Sequence, residues 1–478
     1  MPPLWAPGEE SEYQKPTRPD LEFSRALRGG FEGLRQENLL EASTKHQPVL
    51  RRSIGFFGAV GLGLGSILGT GVFVSLALVT GVASSWSPLA VALAGLLAAC
   101  NGLSSAQLAA AHPVSGGTYE YGHKYVHPLA GYLAGWMFLI AKSASAATAA
   151  LGFAAYLIKG MGIEVSWLYP VPLAFAIVLL ITALASSGLR RSNAVNSIIV
   201  SITLSALGAF VVACHYSLEQ NGGSSIFSLS ALRADGMRPR ALLEATALAF
   251  VAYAGYGRIA TMGEEVTQPR RTIPQAIVVT LLISMALYLA VVMVSIGVMG
   301  AQPFADALKF GHAPLEQVAQ SLGYHKIANF IAFGATIAMA GVLLNLVLGL
   351  SRVVLAMARR GEMPRFLSVL TAGGESPKRA VFAVGALIAA LVSLGNIAMT
   401  WSLSAFCVLI YYGTTNLAAL RMPREERLYP RWISWAGLFG CLSLVFFIEA
   451  QTVVMGGSML IFGLMLREWL MHKNNEPE

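Results

Sequence analysis

Two glycine-rich interruptions hold the residues of this chain best suited to chemistry. One reads Gly65-Ser66-Ile67-Leu68-Gly69-Thr70-Gly71, the other Ala252-Tyr253-Ala254-Gly255-Tyr256-Gly257, and each lies inside a long apolar segment. In hydrocarbon a helix must satisfy its backbone internally, so a break at mid-membrane depth is tolerated only where the freed groups face a cavity or ligand. A half-helix from about Ile54 to Leu64 would end in partially negative carbonyls. The amides near Gly69 to Val72, opening the next half-helix, would be partially positive. A zwitterion needs both poles, donors for its carboxylate and acceptors for its ammonium. Glycine permits the close approach and the non-helical angles this requires. Small residues also suit plain helix packing, but two interruptions at corresponding places point to a solute held between them.

Charged and aromatic residues near the interruptions extend this reading. Lys142 and Arg258 lie within or just beyond apolar spans, where a charge costs about 2.5–3.5 kcal/mol on insertion scales and needs a partner or a cavity. Lys142 has two readings: a fixed or protonatable cation that couples transport, or a tie to backbone carbonyls at a break. A desolvated lysine can cycle its proton, whereas arginine stays charged. Arg258 is either a site cation or half of a gate with Glu264 or Glu265. Tyr253 and Tyr256 are candidates for a lid over the solute, or for packing. His112, His123 and His127 lack metal spacing on one face, and no metal or cofactor is expected. The sequence has no phosphate-binding loop, no paired catalytic acids in a soluble domain and no nucleophile elbow, so an enzyme is not expected.

The elements that must position these residues are apolar helices. Of 478 residues 55% are hydrophobic and 12% charged, and the mean hydropathy is +0.62. Soluble domains carry roughly a quarter charged residues, so the composition is that of an integral membrane protein. Residues 53–119 contain no Asp, Glu, Lys or Arg, enough for two spans of about 20 residues each. Further charge-free runs cover 192–218, 272–305, 327–351, 380–420, 432–448 and 450–466. The run 380–420 holds two short spans turning near Asn396 to Thr400. With segments near 129–158, 166–187 and 242–262 the count is about twelve.

The net charge of +8 follows topology rather than nucleic-acid binding. Alternate loops hold Arg51/Arg52, Arg190/Arg191, Arg270/Arg271 and Arg359/Arg360, while the opposite loops are poorer in cations. By the positive-inside rule both termini are cytoplasmic. No cleavable signal peptide is visible in the polar residues 1–50. Cys100, Cys214, Cys407 and Cys441 lie in apolar segments and read as small buried hydrophobes.

Several segments carry a family resemblance. The stretch from Arg51-Arg52 through Gly65-Ser-Ile-Leu-Gly-Thr-Gly-Val-Phe73 resembles the first-helix signature of the amino acid–polyamine–organocation superfamily. His112-Pro-Val-Ser-Gly-Gly-Thr-Tyr-Glu-Tyr121 is similar to its segment after helix 2. Phe250-Val-Ala-Tyr-Ala-Gly-Tyr256 with Gly263-Glu-Glu-Val-Thr-Gln-Pro-Arg-Arg-Thr-Ile-Pro274 resembles helix 6 and the loop after it. Ser351-Arg352 through Ala356-Met-Ala-Arg-Arg-Gly-Glu-Met-Pro364 resembles the end of helix 8. The likeness runs in order over about residues 51–420. It implies that Ser66, Gly69, Thr70 and Gly71 hold an amino acid carboxylate, and that carbonyls near Leu64, Phe250 and Tyr253 take the ammonium. Side-chain selectivity would come from the helix 6 break, with Gly255 and Tyr256, and from helices 3 and 8. Two departures concern coupling. Where some proton-coupled relatives carry a lysine in helix 5, alignment on Val195-Asn196-Ser197 puts Thr203. Helix 8 offers mainly Thr336 and Asn345 in place of an adjacent Ser/Thr pair for sodium.

The expectation is an all-α integral membrane protein of about twelve spans. A cytoplasmic tail (1–50) precedes a core (51–420) of two five-helix inverted repeats (about 51–216 and 242–420) with spans 1 and 6 broken. Two additional helices (421–470) and a short cytoplasmic tail (471–478) follow. Its function would be secondary transport of amino acids across the cell membrane by alternating access, with the lipid bilayer as setting and a co-transported or exchanged ion or solute as partner. Without Asp or Glu in the central spans a dicationic substrate would lack a side-chain counter-ion, and the two cations near the site, Lys142 and Arg258, lean toward neutral or acidic amino acids. The alternatives are a transporter of polyamines or other amines, a membrane sensor that kept the fold but not transport, and an ion channel, for which no filter motif is present.

Overall fold

The computed structural model describes residues 54–113, 116–161, 170–187, 193–220, 236–261, 263, 265–308, 313–370 and 377–475. The N-terminal tail, Glu264 and most of the loop between the fifth and sixth apolar segments lie outside the described residues. The described elements are helical, apart from one isolated parallel β-bridge between Ile54 and Val266.

The first apolar stretch contains α1 (Phe56–Ile67), α2 (Leu76–Ala83) and α3 (Ser87–Ala111). A turn at Ser84, at φ 49°, separates α2 from α3. A short amphipathic helix, α4 (Thr118–Tyr125), leads into α5 (Pro128–Gly160), which starts on a proline whose missing N–H costs nothing in a first turn. Then come α6 (Pro170–Ser186), α7 (Asn193–Gln220), α8 (Pro239–Tyr253) and α9 (Gly257–Thr261). The long α10 (Pro269–Met299) is followed by two short helices, α11 (Ala301–Asp306) and α12 (Pro314–Ser321). The last part of the chain forms α13 (His325–Arg359), α14 (Lys378–Val392), α15 (Ile397–Arg421), α16 (Arg431–Val445) and α17 (Ala450–Asn475). Among the described residues, seven helical stretches are long and apolar enough to cross a membrane, the first running from Phe56 to Ala111, and α6 and α16 are shorter apolar helices. The turn in the run 380–420 falls at Gly395, at φ 63°, and at Asn396, whose side-chain oxygen caps α15 by accepting from the Met399 amide at 3.0 Å.

At the centre of the protein α5 packs chiefly against α13 and α15. Its middle is buried all round because it is built of small residues, Ala141 to Ala150 interrupted only by Lys142, Ser143, Ser145 and Thr148. Small side chains let helices approach closely where lipid supplies no hydrophobic drive to pair them. Polar rungs lock the register. Ser145 and Thr148 of α5 meet Ser404 and Thr400 of α15 at 2.7 and 2.8 Å. Asn416 of α15 donates to Asn101 of α3 at 2.5 Å. Each such bond contributes roughly 0.6 kcal/mol in a membrane setting. By contrast α17 is mostly uncovered on its apolar faces, the pattern of a lipid-facing helix.

Candidate functional site

Both glycine-rich segments interrupt their helices, in different ways. In the first, α1 stops at Ile67 because Leu68 turns to extended angles (φ −79°, ψ 93°), its amide still donating to the Leu64 carbonyl at 2.7 Å. The chain resumes through a π-helical turn over Gly71–Ser75 before α2. The second interruption is milder: α8 tightens into a 3-10 turn over Ala254–Tyr256, and α9 continues from Gly257.

Glycine is required where the two interruptions touch. A Cβ on Gly255 would lie 2.4 Å from the Ser66 carbonyl oxygen, and one on Gly71 would lie 2.7 Å from the Tyr288 hydroxyl and 3.1 Å from the backbone Cα of Ala252. Backbone therefore faces backbone at two levels. Tyr288 of α10 bridges the pair, its hydroxyl donating toward the Ile67 carbonyl at 2.9 Å and the Ala252 carbonyl at 3.2 Å. Nearer the helix ends, the Ile54 amide donates to the Glu265 carbonyl at 3.0 Å, and the Thr267 amide to the Ile54 carbonyl at 2.9 Å.

Between the interruptions lies a cavity of about 40 Å³, lined by Ser66, Thr70, Gly71, Lys142, Gly255 and Trp401 among others. A second cavity of about 300 Å³ shares Ser66, Lys142 and Gly255 and runs along α13 past Asn345 and Arg352 to Arg359. The smaller holds only a few waters at about 10–15 Å³ each, whereas the larger falls in the range of small-molecule sites. Polar groups converge on the small cavity. The Thr70 hydroxyl is buried there without a hydrogen-bond partner, while the Ser66 hydroxyl bonds back to the Leu62 carbonyl at 2.9 Å. Lys142 is 8% exposed and donates to the Ala254 carbonyl, in the second interruption, at 3.3 Å. The Tyr412 hydroxyl donates to the same carbonyl at 3.1 Å.

The remaining residues singled out from the sequence divide. Gly69 packs under Val342 of α13 and accepts from the Val72 and Phe73 amides at 3.1 Å each. Phe250, Tyr253 and Tyr256 are fully buried, and their rings line neither cavity. Tyr253 points into α3, its hydroxyl donating to the Val91 carbonyl at 3.1 Å. Phe250 and Tyr256 pack on Tyr412, with ring centroids 5.5 and 5.3 Å away. In this conformation all three are packing residues. Arg258 lines the larger cavity, its guanidinium crossing α13 at Gly349. Glu264, its suggested gate partner, lies outside the described residues. Thr203 bonds back to its own helix at the Ile199 carbonyl, 2.7 Å away. Asn196 of α7 reaches α1: its amide donates to the Gly61 carbonyl at 2.8 Å, and its carbonyl oxygen is buried without a partner beside Gly65.

Sequence reasoning passes over Tyr288, Tyr412 and Asn196 as site residues. Their signal is a polar tip inside a charge-free run, which must find an acceptor or donor. Which acceptor it finds is not encoded in spacing.

Comparison with known proteins bears on this geometry. The profile of the amino acid permease family matches residues 54–467. The chain is 38% identical to an uncharacterised transporter of Mycobacterium tuberculosis over 415 residues, covering 87% of this chain and 90% of that one. It is 29% identical to a branched-chain amino acid permease of Bacillus subtilis over 469 residues, covering 89% and 94%. It is also similar to the methylthioribose transporter of the same bacterium, 27% identical over 382 residues with 75% and 79% covered.

Proposed function

Because this chain belongs to the amino acid permease family, we propose that it is a secondary transporter carrying an amino acid across the cell membrane by alternating access. The solute binds between the interrupted helices. The observation that carries this reading is the small cavity itself: two interrupted backbones, the unpartnered Thr70 hydroxyl and the Lys142 ammonium converge on one space that continues into a larger vestibule. In this assignment Ser66, Gly69, Thr70 and Gly71 receive the substrate carboxylate at the start of the second half-helix, where backbone partial charge is positive. Gly255 forms part of the opposite wall, with Phe250, Tyr253 and Tyr256 packed behind it.

The topology that fits is twelve passes. Residues 56–83 and 239–261 are each one interrupted pass, and α6, α14 and α16 are short ones. Two five-helix inverted repeats (about 51–216 and 242–420) would be followed by two appended helices, with both termini in the cytoplasm. The vestibule, ending at Arg359, would then open to the cytoplasm. The small cavity is tighter than an amino acid, so loading requires the interruptions to part, as rocking between two states would allow.

For coupling we assign the protonatable group to Lys142, with Arg258 and Glu264 at the cytoplasmic gate and Thr203 and Asn196 in support on α7. The test is counterflow in proteoliposomes preloaded with unlabelled amino acids, with no ion gradient imposed. Accumulation of a label is the expected outcome, and its absence with folded protein would refute transport of amino acids. Lys142→Met should abolish the pH dependence of uptake; full pH-dependent uptake by that variant would exclude the coupling role.

A further inference from the structure

The cavities are strongly one-sided in charge. Among the described residues lining them, Lys142, Arg258, Arg352 and Arg359 are cationic and none is acidic. Retention of cations at the cytoplasmic ends of spans accounts for Arg359, the last residue of α13, and for Arg258 in the closing helix α9, but not for Arg352 and Lys142. Arg352 lies seven residues, about two turns, deeper on the same helix face, in line with Asn345. Lys142 lies near the middle of α5 and is buried.

Lys142 is also under-used. Its ammonium has three N–H donors, yet among the described residues it makes one hydrogen bond, the 3.3 Å contact to Ala254, on a carbonyl already taken by Tyr412. Among the described residues, no carboxylate pairs with it. The remaining donors border the cavity that Ser66, Thr70 and Gly71 also line. A buried cation with donors to spare is costly unless paired, and an anion entering this cavity with the substrate would pair it. A cationic side chain would meet like charge at the same point, and the carbonyl it would seek is occupied.

From this arrangement we infer that the substrate class is the acidic amino acids, with the side-chain carboxylate paired to Lys142 and the arginine-lined vestibule guiding the anion between site and solution. This rests on the transport reading above and adds the charge of the substrate. The α-carboxylate takes the backbone amides of the first interruption, so the second carboxylate is the group that falls to Lys142. A graded line of cations raises the local concentration of an anionic solute along the path. A neutral isostere would leave Lys142 unpaired.

Glutamate and glutamine differ little in shape and by one charge, which makes them the discriminating pair. Proteoliposomes preloaded with a mixture of unlabelled amino acids would be offered labelled L-glutamate, L-glutamine, L-leucine or L-arginine. Glutamate should accumulate at least about tenfold faster than the other three. Lys142→Met should lower glutamate counterflow by about tenfold or more while glutamine counterflow holds or rises. Arg352→Gln, at an exposed position where folding is not at stake, should raise the KM for glutamate on the vestibule side with little change in maximal rate. If Lys142→Met fails to fold, this second variant decides. Accumulation of glutamine, leucine or arginine with glutamate inert would overturn the acidic assignment and leave the transporter reading standing. No accumulation of any label by folded protein would overturn the transporter reading itself.

Discussion

Thr70 and Gly255 make opposite demands on substitution. Thr70 carries a buried hydroxyl with no partner, so its removal costs the fold little, and a ligand that uses it loses a bond. Thr70→Val should therefore weaken substrate counterflow by about tenfold, since a hydrogen bond contributes about 0.5–1.5 kcal/mol and more to a charged group. Its melting temperature should match that of the parent. Gly255→Ala meets the Ser66 carbonyl at 2.4 Å, and backbone cannot swing aside as a long side chain can. That variant should lose transport and melt earlier, measured by thermal denaturation in detergent beside counterflow. The glycines of both interruptions were legible in the sequence because glycine is the residue that a close backbone approach demands. Tyr253 shows the limit. Its place beside a break suggested a lid, yet its hydroxyl is drawn to Val91 of α3, an acceptor that only packing brings within reach.

At the level of elements, Tyr288 makes α10 the brace between two interrupted helices. Tyr288→Phe keeps the ring and removes the hydroxyl that serves Ile67 and Ala252. It should destabilise by about 1–3 kcal/mol, because buried carbonyls lose a donor, and a smaller loss than about 0.5 kcal/mol would show that the brace is idle. The short helix α12 offers a second test. Glu316 is 1% exposed and holds Gln320 as a hydrogen-bond partner at 2.7 Å. Burial, partly offset by the charge of Lys159, lifts its carboxyl to about 7 from an ordinary 4.5. Between those values the folded protein holds a proton that the unfolded chain has released. Stability therefore falls as pH rises from 4.5 to about 7, and the loss persists above that range. Glu316→Gln should remove this decline, so the variant melts above the parent at about pH 8 and close to it at about pH 5. The helix α12 itself opens on Pro314, a readable start signal, but nothing in its sequence says that Glu316 faces inward.

Over the whole molecule, helices far apart in the chain, α4 and α17, are tied through Glu362, just beyond α13. Tyr119 of α4 donates to its carboxylate at 2.6 Å, His123 lies 3.2 Å away and Arg467 of α17 lies 3.7 Å away. Burial alone would raise this carboxyl, but hydrogen bonds from His123 and Tyr119 and the charges of His123 and Arg467 outweigh it and hold it below the ordinary 4.5. Its contribution is therefore present above 4.5 and lost as pH falls through the lower folded value. Glu362→Gln should lower the melting temperature at neutral pH, with the gap from the parent closing under acid conditions; a pH-independent gap would show that packing, not charge, is responsible. Neither His123 nor Glu362 carries a legible role in the sequence, because residues 239 apart become neighbours only when α4, α13 and α17 converge.

What the sequence by itself determined was the membrane character, the family and the two interruptions. Each of these depends on local composition or short spacing: how long a run stays apolar, where glycine and charge fall, which short motifs follow in order. Tertiary structure alone decided that Gly255 meets Ser66, that Tyr288 spans both interruptions, that Asn196 rather than Thr203 reaches α1, and that Lys142 and Arg352 border connected space. A helical face reads the same to any neighbour of matching size, and lipid is as apolar as leucine. The partner of each polar tip was therefore set by which helices pack, not by the residues on either side of it in the chain.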